Sequence, residues 1–237
     1  MTDTLEISVP SELCDVKLEQ YQEWIKIVEA TKEEKDKSDF LDRALVEVFC
    51  GVSVSDIAKI KATEFHKILG VLQETFSNES NSLVNRFSVN GIEYGFEPNI
   101  QNMETGVYID VESSLSSWEN MHVAMACLYR RITKTRKASG VEQYEIEEYS
   151  PTDEKSLVML NAPLDAVLSA KVFFCSLGKE LSMITLAYLE EEMEREQGTQ
   201  HLKTLEQSGD GINQYIRSLE ETHSNLMKQH PYQYIKR

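Results

Sequence analysis

The side chains that could do acid–base chemistry include one pair of carboxylates. Asp110 and Glu112 stand two residues apart in "GVYIDVES", residues 106–113. If this stretch is a β-strand, both carboxylates lie on one face, because side chains alternate along a strand. Paired carboxylates can serve as a general acid and a general base. We interpret this pair instead as part of a solvated strand face.

The five histidines predict no metal site. They stand at positions 66, 122, 201, 223 and 230, and none has another His or Cys at the spacing of metal ligands. His122 follows Trp118 by one helical turn, so we interpret it as a packing residue. The sequence also lacks the glycine-rich phosphate loop, the HExxH zinc motif and the GxSxG nucleophile motif. We therefore predict a protein that is not an enzyme, with no catalytic residue, cofactor or metal.

A basic cluster, "RRITKTRK", spans residues 130–137 and is followed by an acidic run. Three interpretations are open: a nucleic-acid patch, surface ion pairs formed as the chain folds back at "ASG", and a docking site for an acidic segment of a partner. We favour the ion pairs. The cations that could dock a partner are Arg130, Arg131, Lys134, Arg136 and Lys137.

The composition limits the function classes. The chain has 237 residues, of which 41% are hydrophobic, and a formal net charge of −16. This predicts a globular chain with a core, and it disfavours phosphate-rich nucleic acid and anionic membranes as partners. Four scattered cysteines without a CxxC pair indicate reduced thiols. The absence of a signal peptide or an apolar stretch of membrane-spanning length favours an intracellular soluble protein.

Periodicity predicts helices at both ends of the chain and β-structure in the middle. "TLEISV", residues 4–9, and "YEIEEYS", residues 144–150, alternate like strands, and Asn90-Gly91 between alternating stretches predicts a hairpin. Helices are expected from Val16 with Asp15 as N-cap, over 40–49 with Gly51 in a left-handed conformation after the last turn, around 54–60 with Ser53 as N-cap, from a Thr63 cap to Phe76, and over 115–129. A buried helix should start near Asn161 or Pro163 and stop at Gly178, with a second from Lys179 towards Glu196 and a last one around 212–226.

These elements predict an α+β fold that is mostly α. We expect one domain over residues 1–237, with a helical N-terminal part over 1–78 that carries one strand. A small middle part over 79–150 contains a β-hairpin and one helix, and the C-terminal part over 151–237 is helical.

Residues 40–76 resemble the core of the tail assembly chaperones of tailed bacteriophages. In those proteins an apolar helix, a glycine turn, a short acid-capped helix and a polar-capped helix follow one another. Here "CGVS" at 50–53 occupies the turn, with Cys50 where threonine is common; Asp56, Ile57 and Ile60 occupy the short helix, and Thr63, Glu64 and Phe65 open the next.

A second resemblance covers nearly the whole chain. "YGFEPNIQNMETGVYIDVES", "WENMHVAMACLYRRI", "APLDAVLSAKVFFCSLGKEL" and "SGDGI" look like an uncharacterised family of tailed-phage proteins, many from phages of Bacteroidetes hosts. That family is usually encoded among virion and tail genes.

The chaperone resemblance implies a protein that binds the tape measure protein in the host cytoplasm before the tail tube polymerises, and then recruits tube subunits. The alternative is a structural component of the virion, such as a connector, capsid-associated or packaged protein. Binding a helix requires an exposed apolar surface. The candidate partner-binding residues are Phe65, Ile68, Leu72 and Phe76 on one helix, and Tyr215 and Leu219 on the last.

Overall fold

The computed structural model confirms an α+β fold that is mostly α, with one small antiparallel sheet in the middle of the chain. It describes residues 6–33, 37–77, 82–97, 103–138, 141–150, 152–195, 209, 211–214 and 216–217. These residues divide into two compact units, the first up to Ala170 and the second from Lys171 onward. Within the described ranges, no helix combines the length and apolar character that a bilayer crossing requires.

Four helices form the N-terminal part of the first unit. Their bounds are α1 Leu18–Ala30, α2 Ser38–Cys50, α3 Val54–Ile57 and α4 Ala62–Ser77. Their apolar stripes meet in an aromatic core, where the Phe49 ring lies 6.1 Å from Trp24 and 4.7 Å from Phe76, centroid to centroid. The Gln20 amide on α1 donates to the Val48 carbonyl on α2 at 2.9 Å, which satisfies an end carbonyl of that helix.

The turn between α2 and α3 follows the local pattern of the sequence. Gly51 has a φ of 64°, and its N–H donates to the carbonyl of Glu47, so it closes α2 in the left-handed conformation that favours glycine. The Ser53 hydroxyl accepts a hydrogen bond from the backbone N–H of Asp56 at 3.3 Å and so caps α3. Both predictions are confirmed.

Three details of the N-terminal part differ from the prediction. Residues 6–9 are irregular rather than a strand, and residues 4 and 5 lie outside the described part. Asp15 lies in a one-turn 3₁₀ helix before α1, where its carboxylate accepts from the backbone N–H groups of Ser11 and Glu12 instead of capping α1. The expected Thr63 cap is also displaced, because α4 begins at Ala62.

The sheet has four antiparallel strands in the order β1-β2-β3-β4. They are β1 Arg86–Val89, β2 Ile92–Phe96, β3 Tyr129–Ala138 and β4 Val141–Ile146. Asn90 and Gly91, with φ of 52° and 77°, join β1 to β2 and confirm the predicted hairpin. The predicted strand over 144–150 starts earlier and ends at Ile146, and β3, which runs through the basic cluster, was not predicted as a strand.

Helices α5 (Thr105–Leu115), α6 (Met121–Leu128) and α7 (Asp153–Val158) complete the middle of the chain. The strand predicted over 106–113 is wrong, because these residues form α5 and bury Val107, Val111 and Leu115 on one face at helical spacing. The expected helix over 115–129 is interrupted between α5 and α6, where the Trp118 carbonyl accepts from the Gln22 amide at 2.6 Å.

Helix α8 (Leu164–Arg195) begins where predicted but continues through Gly178. Its first residues are paired with the start of α1, since Leu18 N–H donates to the Ala162 carbonyl and Leu164 N–H to the Val16 carbonyl at 2.9 and 2.8 Å. A lone glycine destabilises a helix by only about 1 kcal/mol, and the residues that follow Gly178 have high helix propensity, so the helix continues. The boundary between the two units falls within α8, after Ala170.

Candidate interaction surfaces

The predicted partner-binding stripe of α4 divides between the core and the surface. Leu72 and Phe76 are 0% and 1% exposed, and Phe76 packs on Phe49. These two residues close the protein's own core, so their assignment to a partner is corrected. Phe65 and Ile68 are half-buried and remain at the surface. Tyr215 and Leu219 lie outside the described residues.

An apolar groove lies beside the exposed side of α4. It has a volume of about 760 Å³, and its apolar lining comes from three segments: the N-terminal segment, the loop after α3, and α4 itself. We call it the α4 groove; its apolar residues are Ile7, Val9, Ile60, Ile68 and Val71. Val71 is 39% exposed, although Leu72 beside it is fully buried.

Charged residues form the rim of the α4 groove. Lys59 pairs with Asp56 at 2.8 Å and Lys67 pairs with Glu64 at 3.0 Å, and Lys61 also lines the groove. Hydrogen bonds from Lys59 and Ser53 hold the pKa of the Asp56 carboxyl below its usual value. An apolar floor between charged rims is the surface that an amphipathic helix covers with its own apolar stripe.

Of the residues that line this groove, only Ile68 is among the partner-binding residues predicted from the sequence. Val71 lies outside the stripe that marks the core face of α4, and Ile7, Val9 and Ile60 belong to other segments. The available signal was the pair Ile68 and Val71, which stand three residues apart and therefore share a helix face beside the core stripe. The partners on other segments become neighbours only in the folded chain.

The basic cluster lies on β3 and is partly neutralised. Arg130 forms an ion pair with Glu97, and both side chains are largely buried. Burial lowers the pKa of the Arg130 guanidinium. Lys134 and Arg136 pair with Glu145 on β4 at 3.1 and 3.3 Å, with all three side chains exposed. Hydrogen bonding to Lys134 lowers the pKa of Glu145.

The preferred interpretation of the cluster, surface ion pairs with the acidic run that follows it, is thus confirmed for Lys134 and Arg136. Glu145 comes from the acidic run that follows the cluster, as expected, whereas Glu97, the partner of Arg130, precedes it and was not foreseen. The other two members, Arg131 and Lys137, are exposed.

A second cavity lies between the sheet, α6 and α7. Its volume is about 590 Å³, within the range of small-molecule sites. Its lining includes Tyr94, Cys127, Arg130, Arg131, Tyr149 and Lys155. Lys155 pairs there with Glu147 at 2.7 Å. Cations, carboxylates and aromatic rings are mixed in this lining, so no single charge dominates it.

A phenol, a thiol and a carboxylate meet beside this cavity. The Tyr149 hydroxyl donates to the Asp110 carboxylate at 2.5 Å, and the Cys127 thiol lies 3.8 Å from the same hydroxyl. Desolvation is the main cause that raises the pKa of both Tyr149 and Cys127. Both groups are therefore held protonated, which opposes nucleophilic chemistry. Asp110 was expected on a solvated strand face; it lies on α5, and its carboxylate binds Tyr149.

The histidines and cysteines do not assemble into a metal site in the part of the chain that the structure describes. His66 is exposed on α4, with Nδ1 2.6 Å from the Ala62 carbonyl oxygen. His122 is half-buried on α6. His201, His223 and His230 lie outside the described residues. The four cysteines are free thiols, of which Cys127 and Cys175 are buried.

Comparison of the chain with protein-family models, with curated proteins and with solved structures finds no match in any of the three.

Proposed function

We propose that this chain is a non-enzymatic binding protein that acts as a tail assembly chaperone of a tailed bacteriophage. It holds an amphipathic helix of the tape measure protein in the α4 groove, in the host cytoplasm, until tail tube subunits displace it. The resemblance of residues 40–76 to such chaperones motivates the proposal. The observation that carries it is the half-exposed apolar floor of the α4 groove.

The size and composition of the groove support a helix as its occupant. The α4 residues that line the groove run from Glu64 to Val71, so they offer an edge of about 12 Å, or two helical turns, along which a partner helix can lie. Ile68 and Val71 would contact successive turns of the partner, while Lys61 and the two ion pairs at the rim would face its polar flanks. Covering Val71 and the half-buried isoleucines removes apolar area from water, which is the main driving force for such binding.

The test is co-expression with the tape measure protein, followed by affinity purification and measurement of the bound amount. The wild-type chain should retain the tape measure protein, and Ile68→Glu and Val71→Glu should each reduce the retained amount at least tenfold, because each places a charge on the apolar floor. Gln73→Glu is the matched control: it adds the same charge to an exposed position of α4 that does not line the groove, and it should bind like the wild type.

Two outcomes would contradict the proposal. One is equal retention of the tape measure protein by the wild type and by both groove variants, with all three folded by circular dichroism. The other is recovery of the chain from purified virions in stoichiometric amounts by mass spectrometry. The second result would assign it instead as a structural component of the virion.

A further inference from the structure

β3 extends well beyond the strand that pairs with it on one side. It has ten residues, but its pairing with β2 covers only Tyr129–Arg131. Its pairing with β4 covers Ile132–Ala138, after a register shift between Ile132 and Lys134. Residues 133–138 of β3 and 141–145 of β4 therefore form a two-stranded ribbon, which we call the arm. Thr133, Lys134, Thr135, Arg136 and Lys137 are all exposed.

The arm offers a backbone edge for strand pairing. Along a strand, successive backbone N–H and C=O groups point alternately to the two sides. Those on the β4 side of the arm are used by the pairing from Lys134 to Ala138. On the opposite side, pairing of β3 with β2 stops at Arg131 among the residues that the structure describes. The backbone N–H and C=O groups of the arm that point to this side are in position to form hydrogen bonds with an added strand.

The charge of the arm favours an acidic occupant over a second copy. Lys134 and Arg136 share one carboxylate, Glu145, so their two positive charges exceed the single negative charge beside them. Ion pairs as exposed as these are weak and leave their cations available to a partner. Lys137 is also exposed, but it lies on the opposite face of β3, where its partner in the strand register is Glu142 of β4, so it does not add to this excess. Two copies of this basic strand placed edge to edge would set like charges against each other, which is destabilising.

We propose that the edge of β3 from Thr133 to Ala138 accepts an extended acidic segment of a partner protein as an additional antiparallel strand. The carboxylates of that segment lie next to Lys134 and Arg136, which share one face of β3. This goes beyond the chaperone function, because the arm shares no residue with the α4 groove. A protein strand suits this surface better than a nucleic acid. The edge presents peptide hydrogen-bonding groups at strand spacing, and the chain as a whole carries a net charge of −16.

The probe is a fluorescein-labelled ten-residue peptide of alternating glutamate and valine. Its anisotropy is titrated with the full chain, at low and at moderate salt. We expect saturable binding that weakens with salt. The variant Lys134→Glu/Arg136→Glu should bind at least tenfold more weakly. Lys26→Glu/Arg43→Glu is the matched control. It makes the same change in net charge at one exposed lysine on α1 and one exposed arginine on α2, neither of which lines the α4 groove or belongs to the arm, and it should bind like the wild type.

Two measurements on the wild-type chain keep the test independent of any variant's folding. Hydrogen–deuterium exchange should show that the peptide protects backbone amides within 133–138. A peptide N-methylated at every second residue, which cannot pair along one edge, should lose binding at least tenfold. Three outcomes would overturn the proposal: no binding, protection confined to other segments, or equal binding by a single-stranded oligonucleotide of the same charge that displaces the peptide.

Discussion

At the scale of single residues, Cys14 shows how neighbouring groups can suppress the reactivity of an exposed thiol. The pKa of Cys14 is raised from 9.0 to about 11, mainly by desolvation and next by the hydrogen bond to Glu12. The thiol donates to the Glu12 carboxylate at 3.4 Å. That bond and the negative charge both favour the protonated form. Cys50 reaches a pKa of about 11 by desolvation alone.

We predict that Cys14 reacts slowly with iodoacetamide at pH 8, because only about one thiol in a thousand is ionised when the pKa is near 11. Its alkylation rate should keep rising with pH up to about 11. In Glu12→Gln the carboxylate charge is gone, so the pKa of Cys14 falls and alkylation at pH 8 should be several-fold faster. Mass spectrometry of the peptide that contains Cys14 measures the rate.

Cys50 is the internal control in the same sample, because Glu12 does not contribute to the pKa of Cys50. Its alkylation rate should be the same in the two proteins. An unchanged rate at Cys14 in Glu12→Gln would contradict the role given to that carboxylate.

At the scale of elements, the close contact between β2 and β4 depends on a glycine. The ring of Tyr144 lies over Gly95, and its hydroxyl donates to the Phe96 carbonyl at 2.8 Å. The Arg86 guanidinium lies over the Tyr144 ring, 4.5 Å from its centroid. A methyl group at Gly95 would overlap the ring, whose Cδ2 atom would be 2.9 Å away. Tyr144 thus ties the arm's second strand to the β1–β2 hairpin.

We predict that Gly95→Ala lowers the free energy of unfolding by about 1–3 kcal/mol, as overpacking usually does. Urea unfolding followed by circular dichroism measures it. Gly70→Ala is the matched control, because a methyl group there meets nothing within 4 Å on α4, and alanine should stabilise the helix by about 0.5–1 kcal/mol.

A double variant separates the ring contact from other causes. In Tyr144→Ala the space above Gly95 is empty, so adding Gly95→Ala should cost much less than it does in the wild type. Equal costs in the two backgrounds would show that the Tyr144 ring is not what excludes a side chain from position 95.

At the scale of the whole molecule, the excess of negative charge affects the stability of the folded state more than the individual ion pairs do. The chain has 40 acidic and 24 basic residues. Most ion pairs of the described part are exposed, such as Lys59–Asp56 and Lys67–Glu64, and exposed pairs contribute only about 0–1 kcal/mol each. Repulsion among the excess carboxylates acts over the whole surface and destabilises the compact state.

We predict that added salt stabilises the protein. Raising NaCl from about 10 to about 200 mM shortens the screening length several-fold and weakens the net repulsion more than it weakens the pairs. The midpoint of thermal unfolding at pH 7 should rise. A fall in the midpoint over this range would mean that the attractive pairs outweigh the repulsion.

The sequence alone was sufficient for features that a few adjacent residues decide. The Gly51 turn, the Ser53 cap and the Asn90-Gly91 hairpin all follow from backbone sterics and short-range hydrogen bonds. The stripe of α2 and the start of α8 follow in the same way from apolar spacing. The general class, α+β and mostly α, follows from adding such segments together.

Tertiary packing decided what these local signals leave open. Residues 106–113 are α5 because helical spacing lets Val107 and Val111 reach the core, although "VYIDV" alternates like a strand. Tyr149 and Asp110 meet although 39 residues separate them in the chain. Tertiary packing also decides which side chains of α4 stay at the surface. Leu72 is buried because Pro10 and α2 cover its side of the helix, whereas Val71 beside it lines a groove because its side is not covered. Which apolar side chains remain available to a partner depends on contacts between distant segments, and such contacts exist only in the folded chain.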